Sequence, residues 1–394
     1  MLANAFVLLA AFCGADVQLP PFRHLVVDDK VGIGYGLAIA DVDGDKKPDI
    51  LLVDKDLVAW YQNPDWQKHV IARKLTQLDH VCIAARDLDG DGKCEIAVGA
   101  GWNPSDTAGS GSLHYLVPPA DRTQLWTPIA LPHEPTEHRI RWLYGAGNER
   151  WLVSAPLHGR GNKNSEGVGV KIRAFERPSD PSQPWRSVVI DDSLHVTHNL
   201  EIVGWDEQNP NEQLLVAGKE GLFHFAAGKN GWEKRQLAGS GKSSKDFPGA
   251  SEIRTGRLPA PKDAKDTPGD RFLVSIEPFH GNSVVAYTGP EWKRRVLDDS
   301  LNGGHALGCG DLLGKGSAQI VAGWRVKDKA GKVGLRVFIP QNSSGETWDR
   351  ATLDDNTMAC EDLQLHDLNG DGKLDVIAAG RDTHNLKIYI NERS

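Results

Sequence analysis

The pattern Asp41-Val42-Asp43-Gly44-Asp45, closing at Asp49, recurs as Asp87-Leu88-Asp89-Gly90-Asp91 closing at Glu95, and as Asp367-Leu368-Asn369-Gly370-Asp371 closing at Asp375. Oxygen-bearing side chains at alternate positions of so short a loop converge on one hard cation, the glycine permits the sharp turn, and a final acid completes the shell. Each copy is therefore expected to hold a structural calcium, up to three in all. Short apolar runs flank every loop, such as Gly36-Leu37-Ala38-Ile39-Ala40 before the first and Ile50-Leu51-Leu52-Val53 after it. The repeating unit is thus strand, calcium loop, strand, and a chain built by repeating it is constrained to an all-β array.

This unit resembles the FG-GAP or VCBS class of β-propeller blade, and the resemblance implies blades arranged around a central channel. Calcium loops alone do not count the blades, but a second mark recurs. An aromatic residue stands at or before a short apolar strand at Phe22, Trp66, Trp126, Trp185, Trp232, Trp292 and Trp348, about 45 to 60 residues apart. Seven marks predict a seven-bladed β-propeller occupying residues 16–394 as one domain, within the usual range for this architecture. The aromatics themselves are read as covers for blade edges. Phe22 opens a strand with no blade before it, and the chain ends at Ile388-Tyr389-Ile390 with no outer strand after it. The N-terminal strand is expected to complete the last blade and so remove the exposed edges of an open array. The stretches Trp142 to Asn148, Asp206 to Asn211, Pro259 to Gly269 and Asp311 to Lys315 have lost the acids and are expected to bind no calcium.

Residues 1–15 carry an apolar run from Ala5 to Ala11 and small residues at Gly14 and Ala15, the layout of a secretory signal, although Lys and Arg are absent ahead of the run. Cys13 invites a lipoprotein reading, which bulky Phe12 fits poorly. The expected location is therefore secreted or periplasmic. No later stretch approaches the roughly 20 apolar residues of a membrane-spanning helix. Cys82, Cys94, Cys309 and Cys360 are scattered and predict no disulfide framework. The net charge of -8 resides partly in the calcium loops, and no basic stripe suggests nucleic acid. A closed ring needs no partner, so a monomer is expected.

Counting 12 to 19 residues forward from each aromatic mark reaches the start of the next innermost strand, at Tyr35, His80, His138, His198, Ser251, His305 and Cys360. Four of these seven are histidine, in a chain with 14 histidines. A lone histidine at such a point is ordinarily a satisfied polar residue. Recurrence where all blades meet makes the mouth a candidate site for Zn²⁺ or another borderline transition metal, with His80, His138 and His198 as ligands from consecutive blades. Loops joining the second and third strands should open on the same face. They offer Trp102, Asn103, Arg160, His280, Trp324, Arg325, Arg381 and His384, a set suited to a polyhydroxylated or acidic carbohydrate.

The stretch Gly99-Ala100-Gly101-Trp102-Asn103-Pro104, with Gly109-Ser110-Gly111-Ser112, His114-Tyr115-Leu116 and Glu134-Pro135-Thr136-Glu137-His138-Arg139, resembles the propeller of the aldos-2-ulose dehydratase family. That resemblance implies metal-assisted loss of water from a keto-sugar such as 1,5-anhydrofructose. The fungal dehydratases carry cupin domains after the propeller, whereas this chain ends with its seventh blade, so a single elimination step is the most that carries over. In that reading the metal polarises a carbonyl, His305 or Tyr35 handles the proton, and Arg139, Arg160 or Arg325 stabilises developing negative charge. Two alternatives stand beside it: a non-catalytic, calcium-stabilised propeller binding glycan or protein, and a metal-free polysaccharide lyase acting on uronates. Hydrolysis is less attractive because no facing pair of carboxylates is evident, although Glu201, Glu252 and Glu361 follow the channel residues closely.

Overall fold

A computed structural model describes residues 16–206, 209, 211–239, 248–261 and 269–394; the expected signal segment with Cys13 lies outside them. Among the described residues 28 strands form seven four-stranded antiparallel sheets, and no helix occurs. The innermost strands of blades I to VII are Gly36–Ala40, Cys82–Arg86, Glu137–Tyr144, Thr197–Val203, Glu252–Arg257, Gly304–Gly310 and Cys360–His366. Each touches its neighbours on both sides, including the last against the first, so the ring is closed.

Blade VII is completed by the N-terminal strand Phe22–Asp28, which pairs antiparallel with Asn385–Asn391 and puts Leu25 opposite Ile388. Two asparagines clasp blades together near this seam. Asn63 Nδ2 donates to Leu368 O at 2.7 Å, from blade I to blade VII, and Asn391 Nδ2 donates to Leu312 O at 2.8 Å, from blade VII to blade VI. Both side chains are buried, so these bonds satisfy carbonyls that water does not reach.

Burial explains the sequence pattern. Second strands such as Asp49–Val53 and Gln213–Gly218 are covered on both faces by adjacent blades and read as continuous buried runs. Outermost strands such as Gln67–Arg73 keep exposed residues. The aromatic marks stand at the starts of the outer strands, and several are buried against a neighbour: Trp185 meets Trp142 at 6.2 Å and Tyr115 at 5.5 Å. Cys82, Cys94, Cys309 and Cys360 are free thiols.

The aspartate loops join the first and second strands of blades I, II and VII. Gly44 (φ 87°) and Gly90 (φ 83°) occupy the left-handed region the turn demands. Asp41 accepts the Gly44 and Lys46 N–H groups, Asp87 those of Gly90 and Gly92, and Asp367 those of Gly370 and Gly372. The closing acid reaches back to the second loop residue: Asp49 accepts Val42 N–H, Glu95 accepts Leu88 N–H and Asp375 accepts Leu368 N–H. Blade VI folds the same turn with fewer acids. There Asp311 accepts Lys315 and Gly316 N–H, and Gln319 takes the closing role by accepting Leu313 N–H. Asp43, Asp45, Asp89 and Asp91 also accept N–H groups within their loops, yet the blade VI turn folds without counterparts to them.

Candidate functional site

Three inner-strand histidines repeat one device. His138 Nδ1 lies 2.8 Å from His198 O, His198 Nδ1 lies 2.8 Å from Ser251 O, and His305 Nδ1 lies 2.6 Å from Glu361 O. A carbonyl only accepts, so each Nδ1 carries the hydrogen and each Nε2 keeps its lone pair. The acceptor in every case belongs to the next blade at the same height, so ring closure itself sets the tautomers. Burial, reinforced by Arg139 beside His138 and His198 and by Arg325 beside His305, holds all three well below the usual histidine range. They are neutral imidazoles, the form that ligates metal.

Blade V carries Ser251 in this row, and its missing imidazole is supplied by another part of the same blade. His280, in the loop after the second strand Arg271–Glu277, bends inward and brings its Nε2 to 2.7 Å from His198 Nε2. Its ring centroid lies 4.6 Å from His198 and 4.7 Å from His305. Desolvation by the groups packed round it, with the neighbouring His198 and Arg325, lowers its pKa to about 2, although part of the side chain remains open to solvent. His198, His280 and His305 thus place three nitrogens within 4.8 Å of one another, from consecutive blades IV, V and VI.

This grouping differs from the expected His80, His138 and His198. His138 joins the cluster edge: its ring is 4.5 Å from His198, Trp102 packs on it at 4.8 Å, and Arg139 Nη1 sits 3.2 Å from its Nε2. His80 is wholly buried, and its Nε2 accepts the Leu75 N–H at 3.0 Å, a bond inside its own blade connection. His280, read from sequence as a substrate contact, lies among the metal-competent nitrogens, and His305, read as a proton handler, lies there too. Tyr35 donates its hydroxyl hydrogen to Asp79 at 2.9 Å, and burial together with that carboxylate raises the phenol above its usual range. A phenol so held is a poor base at neutral pH.

The arginines frame the cluster. Arg325 donates through Nη1 to both oxygens of Glu361, at 2.8 and 2.7 Å, and its Nη2 lies 3.4 Å from His280 Nδ1. Arg381 donates to Glu361 Oε1 at 3.1 Å. Glu361 therefore orients two guanidinium groups with its side chain and His305 with its carbonyl. Behind His198, the buried Glu252 carboxyl approaches Nδ1 at 3.5 Å and accepts Asn199 Nδ2 at 2.6 Å. Sequence reading considered Glu361 and Glu252 only as acids for a less attractive hydrolysis, not as partners of the arginines and histidines. Their position directly after Cys360 and Ser251, at the inner-strand starts, was the available signal.

The other expected loop residues lie outside this cluster. Trp324 donates Nε1 to Lys332 O and carries Arg336 on its face at 4.5 Å. Asn103 caps its own turn by accepting Ser105 N–H, and His384 Nδ1 bonds the carbonyls of Val31 and Gly32. Arg160 pairs with Glu134 at 3.2 Å and borders a separate 120 Å³ pocket. A cavity of about 1060 Å³ lies near Trp205, Gln213 and His224, and none of the sequence-predicted site residues lines it. Volume does not make that cavity the site, because convergent, tautomer-fixed imidazoles are found only at the mouth among the described residues. On the opposite face, ligand oxygens of Asp41, Asp43 and Asp45, and of Asp87, Asp89 and Glu95, also gather within 4.8 Å.

The family described as aldos-2-ulose dehydratase, beta-propeller domain, matches residues 110–290, and an FG-GAP-like repeat matches residues 34–98. An aldos-2-ulose dehydratase from Phanerodontia chrysosporium is 26% identical over 338 residues, covering 78% of this chain. This chain is a seven-bladed β-propeller that resembles the propeller domain of aldos-2-ulose dehydratase. It spans 36% of that relative's length. Similar solved folds include BBS1N in complex with ARL6DN (TM-score 0.57, 14% identity, 95% of this chain and 97% of that one). A chain of the mitotic checkpoint complex (0.54, 12%, 99% of each) and the extracellular domain of BT4673 from B. thetaiotaomicron (0.52, 11%, 94% and 40%) are also similar. At those identities the likeness is one of fold alone. Among the described residues no helix is long and apolar enough to cross a membrane.

Proposed function

We propose that this propeller is a secreted carbohydrate-active lyase of the dehydratase type, performing β-elimination on a keto-sugar or related sugar at the histidine mouth. The observation that carries the reading is the trio His198, His280 and His305, in which cross-blade carbonyls fix the tautomers of His198 and His305, in a chain similar to a dehydratase propeller. The Nε2 lone pairs of His198 and His305, joined by His280 Nε2 once the hydrogen it shares with His198 Nε2 at 2.7 Å is given up, would suit zinc or another divalent transition metal, which when bound would supply a Lewis acid for a substrate oxygen. His138, at the edge of the cluster, is the proposed acceptor of the proton α to the carbonyl, with Arg139 Nη1 moving off its Nε2 onto the substrate oxygen as it does so. As that C–H bond breaks, its electron pair forms the C=C bond, the β C–O bond breaks, and the leaving hydroxyl departs as water after taking a proton. Arg139 and Arg325 flank the histidines and offset the negative charge that builds on the substrate oxygen. Trp102, already packed on His138, offers an indole edge to the sugar ring.

Calcium in the loops of blades I, II and VII is proposed as structural. Its support is the surplus of acids over what the blade VI turn needs. The three loops stand on adjacent blades VII, I and II, so bound cations would stiffen the seam where the last blade meets the first.

Metal analysis of the purified protein after mild dialysis, followed by incubation with 1,5-anhydrofructose and detection of an unsaturated product, tests the reading. About one transition-metal ion per chain and a dehydrated product are expected. Calcium alone, with saturable glycan binding and no product, would replace the lyase by a binding propeller.

A further inference from the structure

We infer that the substrate received at this mouth carries a carboxylate, a uronate or a keto-sugar acid, and that the Arg325–Arg381 pair receives it. The inference rests on the sugar-lyase reading and narrows its substrate class.

What a ligand meets at the mouth is decided by which ends of the ion pairs face outward. The Glu361 side chain is 2% exposed, whereas its partners Arg325 and Arg381 keep 17% and 36% of their side chains open. Glu361 takes Nη1 of both arginines, at 2.7 to 3.1 Å, and so orients two guanidinium groups from behind. The one carboxylate offsets one of the two positive charges, and the second remains for a ligand. Guanidinium N–H groups presented in a fixed plane are suited to a two-point bond with a carboxylate, and a rear carboxylate that orients them lowers the entropy lost on binding. The other acid beside the histidines, Glu252, is 1% exposed and is bound to Asn199 beneath His198. No acid is therefore displayed to the ligand within this group.

Arg139 lies on the opposite side of the histidines, is only 4% exposed, and so contributes positive field rather than a contact displayed to the ligand. Its Nη1 donates to His138 O at 3.0 Å and approaches His138 Nε2 at 3.2 Å, and no described carboxylate lies within ion-pair distance of it. The histidine cluster thus sits between Arg139 and the Arg325–Arg381 pair, all cationic at neutral pH. A neutral sugar would leave the surplus charge of such a site uncompensated, and an acidic sugar balances it. The arrangement also serves the elimination, because a carboxylate held by arginine draws electron density from the adjacent carbon and acidifies its hydrogen.

The test compares D-glucuronate with methyl D-glucoside as calorimetric probes of the metal-loaded full chain, and 1,5-anhydrofructose as a neutral keto-sugar substrate. Glucuronate is expected to bind at least tenfold tighter than the neutral glucoside, with affinity falling as salt rises. Arg381→Gln, at an exposed position, should erase most of that preference while metal content and the thermal transition stay as in the parent protein. Equal affinity for acid and neutral sugars, or a preference unchanged in Arg381→Gln, overturns the inference. Turnover of 1,5-anhydrofructose alongside that result leaves the lyase reading standing. Absence of binding and product with every sugar, in protein that retains its metal, removes the lyase reading as well.

Discussion

His280 offers the sharpest test of which histidines hold a metal, because the sequence-based trio of His80, His138 and His198 excludes it and the structural trio requires it. His280 is at φ 47°, a region that histidine and asparagine occupy more readily than alanine. Asparagine tolerates that conformation far better and is too short to reach the position of the imidazole Nε2. His280→Asn is therefore the cleaner variant. Its fold cost should be small, because the ring makes side-chain contacts only to His198, His305 and Arg325 and caps no backbone group. With about 1 kcal/mol lost, a chain of this size should shift in Tm by roughly 1 to 2 °C. The effect on metal should be much larger. Altering a residue that merely orients a ligand typically costs about 10–100-fold in affinity, so removing one of three ligands should cost at least about 100-fold, or about 2.7 kcal/mol. Competition titration with a chromophoric zinc chelator reads this directly. Zinc affinity unchanged in His280→Asn, but lost in His80→Asn, would refute the structural assignment and restore the sequence-based one.

Other outcomes can be checked on the same protein. Chelation of calcium should lower Tm: a site at about 100 times its dissociation constant contributes about 2.7 kcal/mol, so removal of even one such ion should shift the transition by several degrees, and calcium should restore it. Asn391→Ala removes two side-chain N–H donors, to Leu312 O at 2.8 Å and Leu374 O at 3.0 Å, and should cost about 2 to 4 kcal/mol by urea unfolding. The pH dependence of stability should carry the mark of Glu137, wholly buried and bonded to Ser154 and to Glu134 N–H, whose carboxyl burial raises to about 7. The unfolded chain loses this proton near 4.5, before the folded one does. Its contribution is therefore complete below that pH, declines by about 3 kcal/mol up to pH 7, and is flat beyond. Glu137→Gln should flatten the stability profile across that window, and an unaltered slope would show that Glu137 is not the source.

Much of this molecule is legible along the chain because a propeller is a local repeat. Each blade is a run of consecutive antiparallel strands, so the loop motif and the aromatic mark recur at fixed intervals and count the blades without any knowledge of distant contacts. Asp41 through Asp49 and Asp87 through Glu95 act within nine residues of sequence, which is why their convergence could be foreseen from spacing. The row of inner-strand starts was visible for the same reason, although it set His305 across from His198 whereas the two rings lie 5.3 Å apart.

Tertiary structure decided which members of that row act together. His280 reaches the group from a loop whose length and direction no periodicity encodes, and it fills the gap left by Ser251. The tautomers of His138, His198 and His305 depend on carbonyls of the following blade, groups that carry no side-chain signature. The outward presentation of Arg325 and Arg381 follows from the burial of Glu361 behind them, and burial is a property of the closed ring. Sequence by itself determined the repeat and the blade count. Only the closed structure fixed the tautomers of the mouth residues, their neighbours and the sign of charge they show a ligand, because those depend on contacts between blades that meet only when the ring closes.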